Sequence, residues 1–111
     1  MDTLPPFTII VFTEHHPAGL ERLLAALSRG EIESRAQVIV LDPDGRPDRR
    51  AAASAHGADY LVPDPPHRPA AWNQGVARAV AGRLAFTDDD AIPQTGWLAA
   101  FSVALDKGLV F

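Results

Sequence analysis

Cysteine is absent from the 111 residues, which excludes both disulfide bonds and metal sites built from thiolates. Aromatic residues make up 7% of the chain, and no apolar run approaches the ~20 residues of a membrane-spanning helix. Basic residues form no long tract, and the formal net charge is -4, so nothing indicates a nucleic-acid partner. Residues 1–6 lack the pattern of a signal peptide. We therefore expect a cytoplasmic protein with no transmembrane segment.

The composition that is present is that of a folded domain. Hydrophobic residues make up 47% of the chain and charged residues 22%, as in ordinary globular proteins. The length suits one modest core, so we treat residues 1–111 as one domain. Residues 108–111 (GLVF) read as a helix stop followed by the beginning of a strand. We expect the natural domain to continue beyond residue 111; the alternative is a short edge strand that ends there.

Hydrophobic periodicity predicts alternating strands and helices. Continuous apolar or β-branched runs predict buried strands at residues 7–12, 37–41, 59–62 and 84–87. Amphipathic or alanine-rich segments predict helices at residues 17–30, 47–56, 70–81 and 94–107. This order predicts an α/β fold with three layers, α/β/α, and a mainly parallel sheet joined by right-handed crossovers. Ligands of such sheets bind outside the carboxyl ends of the strands.

Three consecutive carboxylates follow the fourth predicted strand: Asp88, Asp89 and Asp90. In an extended segment, side chains two positions apart point the same way, so Asp88 and Asp90 would converge on one cation while Asp89 points elsewhere. Carboxylate oxygens suit Mg²⁺ or Mn²⁺, and a bound cation relieves the repulsion among them. The alternative is a solvated helix N-terminus, where Asp is common. Because the triplet ends a buried strand, we favour the metal site.

The ordered motifs around this triplet resemble those of family 2 glycosyltransferases with the GT-A fold. Residues 72–79 (WNQGVARA) give an Asn-x-Gly helix, and residues 84–93 (LAFTDDDAIP) give an apolar strand, a DxD motif and a proline. Trp97 and Leu98 follow at the spacing of that family. The opening strand, Pro17, the segment 20–24 (LERLL) and Asp42 with Gly45 extend the resemblance over nearly the whole chain.

The resemblance implies that the chain is the part of a glycosyltransferase that binds a nucleoside-diphosphate sugar. It implies Mg²⁺ or Mn²⁺ as cofactor, with Asp90 as main metal ligand and Asp88 sharing the metal or contacting the ribose. It also implies three further contacts with the nucleotide. Asp42 would bond the base, Thr13 and Glu14 would line the pocket, and Arg68 would lie near the nucleotide.

The chain also departs from the family pattern. Trp72 stands where many relatives have arginine, and Glu14 with His15 stands where many have Tyr-Asn. The family's catalytic base and acceptor-binding elements belong to a C-terminal half that this chain does not contain. The catalytic residues therefore stay unassigned.

Simpler roles compete for several of these residues. Asp42 precedes a proline and is a natural turn former, and Thr13 can bond local backbone at a strand end. Arg68 can be a solvated loop residue. On the third predicted helix we expect Trp72, Val76, Ala79 and Val80 to share the buried face, and Gly75 to permit close packing of the helix on a strand.

Two other function classes compete with donor binding. The chain can be a non-catalytic half-domain that self-associates as an assembly module, since an incomplete sheet with an apolar end invites pairing between copies. A homo-oligomer would then form. Nucleotidyltransferases and dinucleotide-binding domains rank lower, because they carry a glycine-rich loop after the first strand and residues 13–16 (TEHH) contain no glycine.

Overall fold

The computed structural model describes residues 5–14, 17–30, 33–90 and 97–98, and within them strands and helices alternate. The strands are β1 (Thr8–Phe12), β2 (Gln37–Leu41), β3 (Asp59–Leu61) and β4 (Leu84–Asp88). The helices are α1 (Pro17–Ser28), α2 (Pro47–Ala55) and α3 (Arg68–Arg78), with one 3-10 turn at Glu33–Arg35. Most of the helix predicted at residues 94–107 lies outside the described residues. None of the described helices has the length and apolar character needed to cross a membrane.

The four strands form one parallel sheet in the order β3-β2-β1-β4. β1 is central and is paired along its whole length, with Phe12 level with Leu41 on one side and with Asp88 on the other. The predicted α/β class with a parallel sheet is confirmed. Burial explains the central position, because all five residues of β1 are buried and a strand without a polar face belongs inside the sheet.

Side chains of β1 alternate between two hydrophobic cores, one on each face of the sheet. Ile9 and Val11 pack with the apolar residues of α1 and α2, while Ile10 and Phe12 pack on the face that α3 covers. The α1 face contains the leucines at 20, 23, 24 and 27 that the sequence predicts to be buried. Among the described elements the fold therefore has three layers, with α1 and α2 on one face of the sheet and α3 on the other.

The buried face of α3 differs from the prediction. Ala71 and Gly75 are buried, whereas the side chains of Val76 and Val80 are 41% and 51% exposed. The reason is the close approach of the helix to the sheet: a Cβ atom on Gly75 would lie 2.9 Å from Cγ2 of Ile10. Only small residues fit that contact, so Val76 turns outward. Trp72 is partly buried and packs against the same core, as predicted. The predicted role of Gly75 in close helix–strand packing is confirmed.

The direction of strand addition reverses at β1. The chain places β2 and then β3 on one side of β1, and it returns to place β4 on the other side. Right-handed crossovers in opposite directions put their helices on opposite faces, as α2 and α3 are here. The carboxyl ends of β1 and β4 lie side by side at this point. Parallel sheets bind ligands outside the carboxyl ends of their strands where the direction of addition reverses, and we call this edge the crevice between β1 and β4.

Candidate functional site

The crevice between β1 and β4 is lined by residues that end these two strands. Asp88 is the last residue of β4 and lies in register with Phe12, the last residue of β1. Backbone pairing continues for one more step, since the N–H of Asp89 donates to the carbonyl of Phe12. The strands therefore bring Glu14, just after β1, and the carboxylates after β4 to the same edge of the sheet. Two of the predicted site segments thus meet there.

Arg68 crosses this crevice from the first turn of α3. Its Nη1 donates to Oδ1 of Asp88 at 2.8 Å, and its Nη2 donates to Oε1 of Glu14. The guanidinium carbon lies 4.4 Å from the centre of the Phe12 ring, which forms the floor under it. Asp88, and then Glu14, raise the pKa of Arg68 above its ordinary value. Arg68 is therefore an ion-paired residue of the crevice rather than the solvated loop residue of the alternative interpretation.

Asp89 turns away from Asp88 toward the α1 face of the sheet. It is buried and its Oδ2 accepts a 2.6 Å hydrogen bond from the hydroxyl of Thr13, which is itself fully buried. The side chain of Thr13 thus lies in the interior, and its hydroxyl bonds a carboxylate 76 positions away rather than the local backbone of the alternative. The sequence predicts that the side chain of Asp89 points in a different direction from that of Asp88, and this prediction is confirmed.

The strand argument fails for Asp90. β4 ends at Asp88, and Asp89 and Asp90 form a turn, so side chains two positions apart no longer share a direction. Asp90 is exposed beside the crevice. The prediction of an extended backbone through residues 88–90 is therefore wrong, because the chain bends as soon as the pairing with β1 ends.

The carboxylate oxygens of the crevice fit a divalent cation that is held partly by the protein and partly by a bound ligand. Asp88 and Asp90 offer hard oxygen atoms, and both are partly or fully exposed. Among the described residues no group of three or more acidic, histidine or cysteine side chains forms a cage for a metal. Mg²⁺ commonly takes only one or two carboxylates and completes its shell with water and phosphate oxygens. The set of donors therefore suits a metal–diphosphate complex better than a metal alone.

Asp42, at the end of β2, is the centre of a buried polar network. Its side chain is fully buried, and Oδ1 accepts from the N–H of Asp44 and from Nη1 of Arg49, at 3.1 and 2.7 Å. Oδ2 accepts from the N–H of Arg46 at 2.8 Å and from the hydroxyl of Tyr60 at 2.6 Å. Four donors satisfy the carboxylate, which has about four acceptor positions.

This network fixes the loop after β2. Burial acts to raise the pKa of Asp42, but the hydrogen bonds from Tyr60, Arg49 and the backbone outweigh it, so the pKa lies below its ordinary value. The carbonyl of Asp42 also accepts from the N–H of Gly45, whose φ of 61° confirms the predicted turn glycine. The geometry favours the turn-forming alternative for Asp42. A contact with a base would require breaking one of the four hydrogen bonds.

Sequence reasoning missed the partners of Asp42. Arg49 and Tyr60 were given no role, although both side chains converge on this carboxylate from α2 and β3. One available signal was Tyr60 itself, because a phenol within an apolar strand needs a partner for its hydroxyl. Arg49 gave no such signal, since it lies among other arginines at residues 46–50.

A second concavity lies at the opposite edge of the sheet. It has a volume of about 140 Å³ and is lined mainly by residues that precede β2 and β3 or end α1, among them Glu33, Ser28 and Gly57. Ligands of parallel sheets bind at the carboxyl edge, so the crevice between β1 and β4 is the better candidate despite this cavity.

Models of known protein families give no match to this chain, and no curated protein matches it.

Proposed function

We propose that the chain binds a nucleoside-diphosphate sugar at the crevice between β1 and β4, as the donor-binding part of a glycosyltransferase similar to family 2. The observation that carries the proposal is the charged cluster at the point where strand addition reverses. Glu14, Arg68 and Asp88 meet there from three separate elements, with Asp90 exposed beside them. The order of motifs that resembles family 2 glycosyltransferases supports the same interpretation, and the expected cytoplasmic location belongs to this proposal.

Each residue of the crevice has a distinct part in this proposal. Asp88 and Asp90 hold a divalent cation together with the diphosphate of the donor. The cation supplies Lewis-acid stabilisation of charge on the departing diphosphate. Arg68 is the nearby group that binds anions, since a guanidinium forms paired hydrogen bonds with phosphate oxygens. The buried network around Asp42 holds the loop after β2 rigid at the same edge of the sheet.

The proposal covers donor binding and assigns no general base. Attack by an acceptor hydroxyl needs a group that removes its proton. Asp89 and Asp42, the two carboxylates buried at this edge, already accept hydrogen bonds from side chains of the fold. The proposal therefore leaves the deprotonating group unassigned.

Calorimetry with uridine, guanosine and thymidine diphosphates tests the proposal. We expect one of the three to release heat with Mn²⁺ present and to bind at least tenfold more weakly without it. Asp88→Asn combined with Asp90→Asn removes two charges while nearly conserving shape, and we expect it to abolish the metal-dependent heat.

The matched control is Asp59→Asn, because Asp59 is an exposed carboxylate at the amino end of β3, on the opposite edge of the sheet. This variant should bind as the unchanged protein does. No metal-dependent heat with any of the three nucleotides, or equal losses in the double variant and the control, would defeat the proposal.

Self-association is the second candidate function, and one surface favours it. Phe86 on β4 is 49% exposed and packs edge-on against Trp72 of α3 at 5.1 Å between ring centres. Val76 and Val80 are also exposed on and just after α3, and β4 ends the sheet among the described strands. Open strand edges beside apolar side chains favour pairing between copies.

Size-exclusion chromatography over a range of protein concentrations separates this candidate from donor binding. An assembly module would elute as a dimer, and Phe86→Lys would convert it to a monomer. Val62→Lys changes a similarly exposed apolar residue after β3 and should leave the dimer intact. A monomer at all concentrations would eliminate self-association as the function.

A further inference from the structure

The position of Arg68 has a consequence for how the crevice is charged before any ligand arrives. Its guanidinium bonds two carboxylates that come from different elements: Glu14 follows β1, and Asp88 ends β4. One of these, Asp88, is also the carboxylate proposed to bind the metal. One oxygen of that carboxylate, Oδ1, therefore already accepts from a positive group of the protein.

A guanidinium and a divalent cation compete for Asp88 at this place. Both are positive, and they repel at the short separation that sharing Asp88 would impose. Oδ1 of Asp88 accepts from Arg68 at 2.8 Å, which is the length of a charge-assisted hydrogen bond. For a metal to gain Asp88 fully, Arg68 has to release it.

The surroundings of Arg68 allow that release. A positive charge in the first turn of a helix opposes the helix dipole, so the two carboxylates offset an unfavourable placement. The side chains of Arg68 and Asp88 are 40% and 41% exposed, and ion pairs exposed to this extent are weak. The ring of Phe12 supports the guanidinium from below.

We propose that Arg68 is an internal counter-ion that occupies the cation position of the crevice in the free protein and exchanges Asp88 for a diphosphate when a metal–nucleotide complex binds. The proposal rests on the donor-binding function above. It predicts that metal alone binds weakly, because it must displace Arg68 without offering that residue an anion. Metal and diphosphate together bind well. The metal takes the place of Arg68 at Asp88, and the diphosphate accepts the hydrogen bonds that Arg68 then donates. By linkage, each ligand then raises the affinity of the protein for the other.

Arg68→Met tests this exchange by removing the charge while keeping a long side chain that packs on Phe12. Mn²⁺ alone is titrated first, with electron paramagnetic resonance of the free ion as the readout. We expect Arg68→Met to bind Mn²⁺ about fivefold or more tightly than the unchanged protein, in the range typical of coupling between sites. Mn²⁺ with uridine, guanosine or thymidine diphosphate is titrated second. We expect the variant to lose the mutual enhancement between metal and nucleotide.

Arg78→Met is the matched control, since Arg78 ends the same helix and is exposed far from the crevice. It removes the same charge and should leave both titrations unchanged. Arg68→Lys is a second variant that keeps the charge but lacks the planar fork that bridges two carboxylates. We expect its Mn²⁺ affinity to lie between those of the unchanged protein and Arg68→Met. Circular dichroism melting checks that each variant is folded.

The two proposals fail in different ways. If the unchanged protein binds metal and nucleotide together but Arg68→Met binds Mn²⁺ no more tightly, the exchange by Arg68 is wrong and donor binding stands. If no nucleotide binds but Arg68→Met gains affinity for Mn²⁺, donor binding is wrong and the counter-ion role stands. If neither protein binds Mn²⁺ at millimolar concentration, either alone or together with a nucleotide, both are wrong.

Discussion

The hydroxyl of Thr13 donates a 2.6 Å hydrogen bond to Oδ2 of Asp89, and the two residues are 76 positions apart in the sequence. This bond joins the loop after β1 to the loop after β4 on the inner side of the crevice, and both side chains are buried. It divides the acidic triplet into two kinds of carboxylate. Asp89 supports the fold from inside, while Asp88 is half-buried and Asp90 is exposed.

Thr13→Val removes this donor while conserving the shape of the side chain. A buried carboxylate that loses a donor costs about 1–3 kcal/mol, so we expect the free energy of unfolding to fall by that amount. Urea denaturation at pH 7 measures it. Thr87→Val is the control, because the hydroxyl of Thr87 bonds only a backbone carbonyl in a half-buried position, at 3.2 Å, and its loss should cost less. Equal effects of the two substitutions would contradict the role given to Thr13.

Tyr60→Phe removes one of the four donors to Asp42 and keeps the ring. The ring still packs against the α1 and α2 core and under the guanidinium of Arg50, whose central carbon lies 4.9 Å from the ring centre. A hydrogen bond to a charged group contributes about 1.5–3 kcal/mol, so we expect a loss of that size in the free energy of unfolding. A loss below about 0.5 kcal/mol, as for an ordinary surface change, would show that the hydroxyl contributes nothing.

The carboxylate of Asp42 also makes the free energy of unfolding depend on pH in the acid range. The folded-state pKa of Asp42 lies below its ordinary value of 3.8, because hydrogen bonds from Tyr60, Arg49 and the backbone outweigh the opposing effect of burial. The contribution of Asp42 to the free energy of unfolding is therefore fully present above its pKa in the unfolded chain. It is lost as the pH falls through its pKa in the folded protein.

Urea denaturation between pH 2 and pH 7 follows this loss. In Tyr60→Phe the pKa of Asp42 should rise toward its ordinary value, so the acid part of the stability curve should become shallower. An unchanged slope in the variant would mean that Asp42 is not the group responsible.

Gly75→Ala tests the contact between α3 and β1. Alanine favours a helix over glycine by roughly 0.8–1.0 kcal/mol, but the added Cβ would lie 2.9 Å from Cγ2 of Ile10 and 3.4 Å from Cδ1 of Leu41. Overpacking of this kind costs about 1–3 kcal/mol, so we expect a net loss of stability in thermal or urea unfolding. Gly82→Ala is the control, because its Cβ would meet nothing within 4 Å. A stabilised Gly75→Ala would mean that the helix stands further from the sheet.

Several features of the fold follow from local sequence patterns. Buried apolar runs predict strands at the places where β1 and β2 lie, and the leucine spacing predicts the inner face of α1. These patterns succeed because one continuous apolar run or one helical period contains all the information needed. The prediction for the α3 segment holds for Trp72 and is wrong for Val76 and Val80. The rule favours large apolar residues, whereas Ile10 lies too close to the helix for any side chain at Gly75.

The candidate site was predicted in its location and less well in its contacts. The carboxyl edge of a parallel sheet follows from the order of elements, and it brings Glu14 and Asp88 together as expected. The partners of Asp42 and the bridge made by Arg68 were not foreseen. They depend on which strands are neighbours and on how helices cross them, and these are long-range properties of the chain.

The sequence by itself determined the alternation of strands and helices, the turn at Gly45 and the placement of carboxylates after β4, because each depends on residues within a few positions of one another. Only the tertiary structure decided that Asp89 turns inward to Thr13 while Asp88 meets Arg68. The physical reason is that strand pairing sets which of two adjacent side chains faces each layer. The direction of each carboxylate is thus fixed by β1, more than 70 residues earlier in the chain.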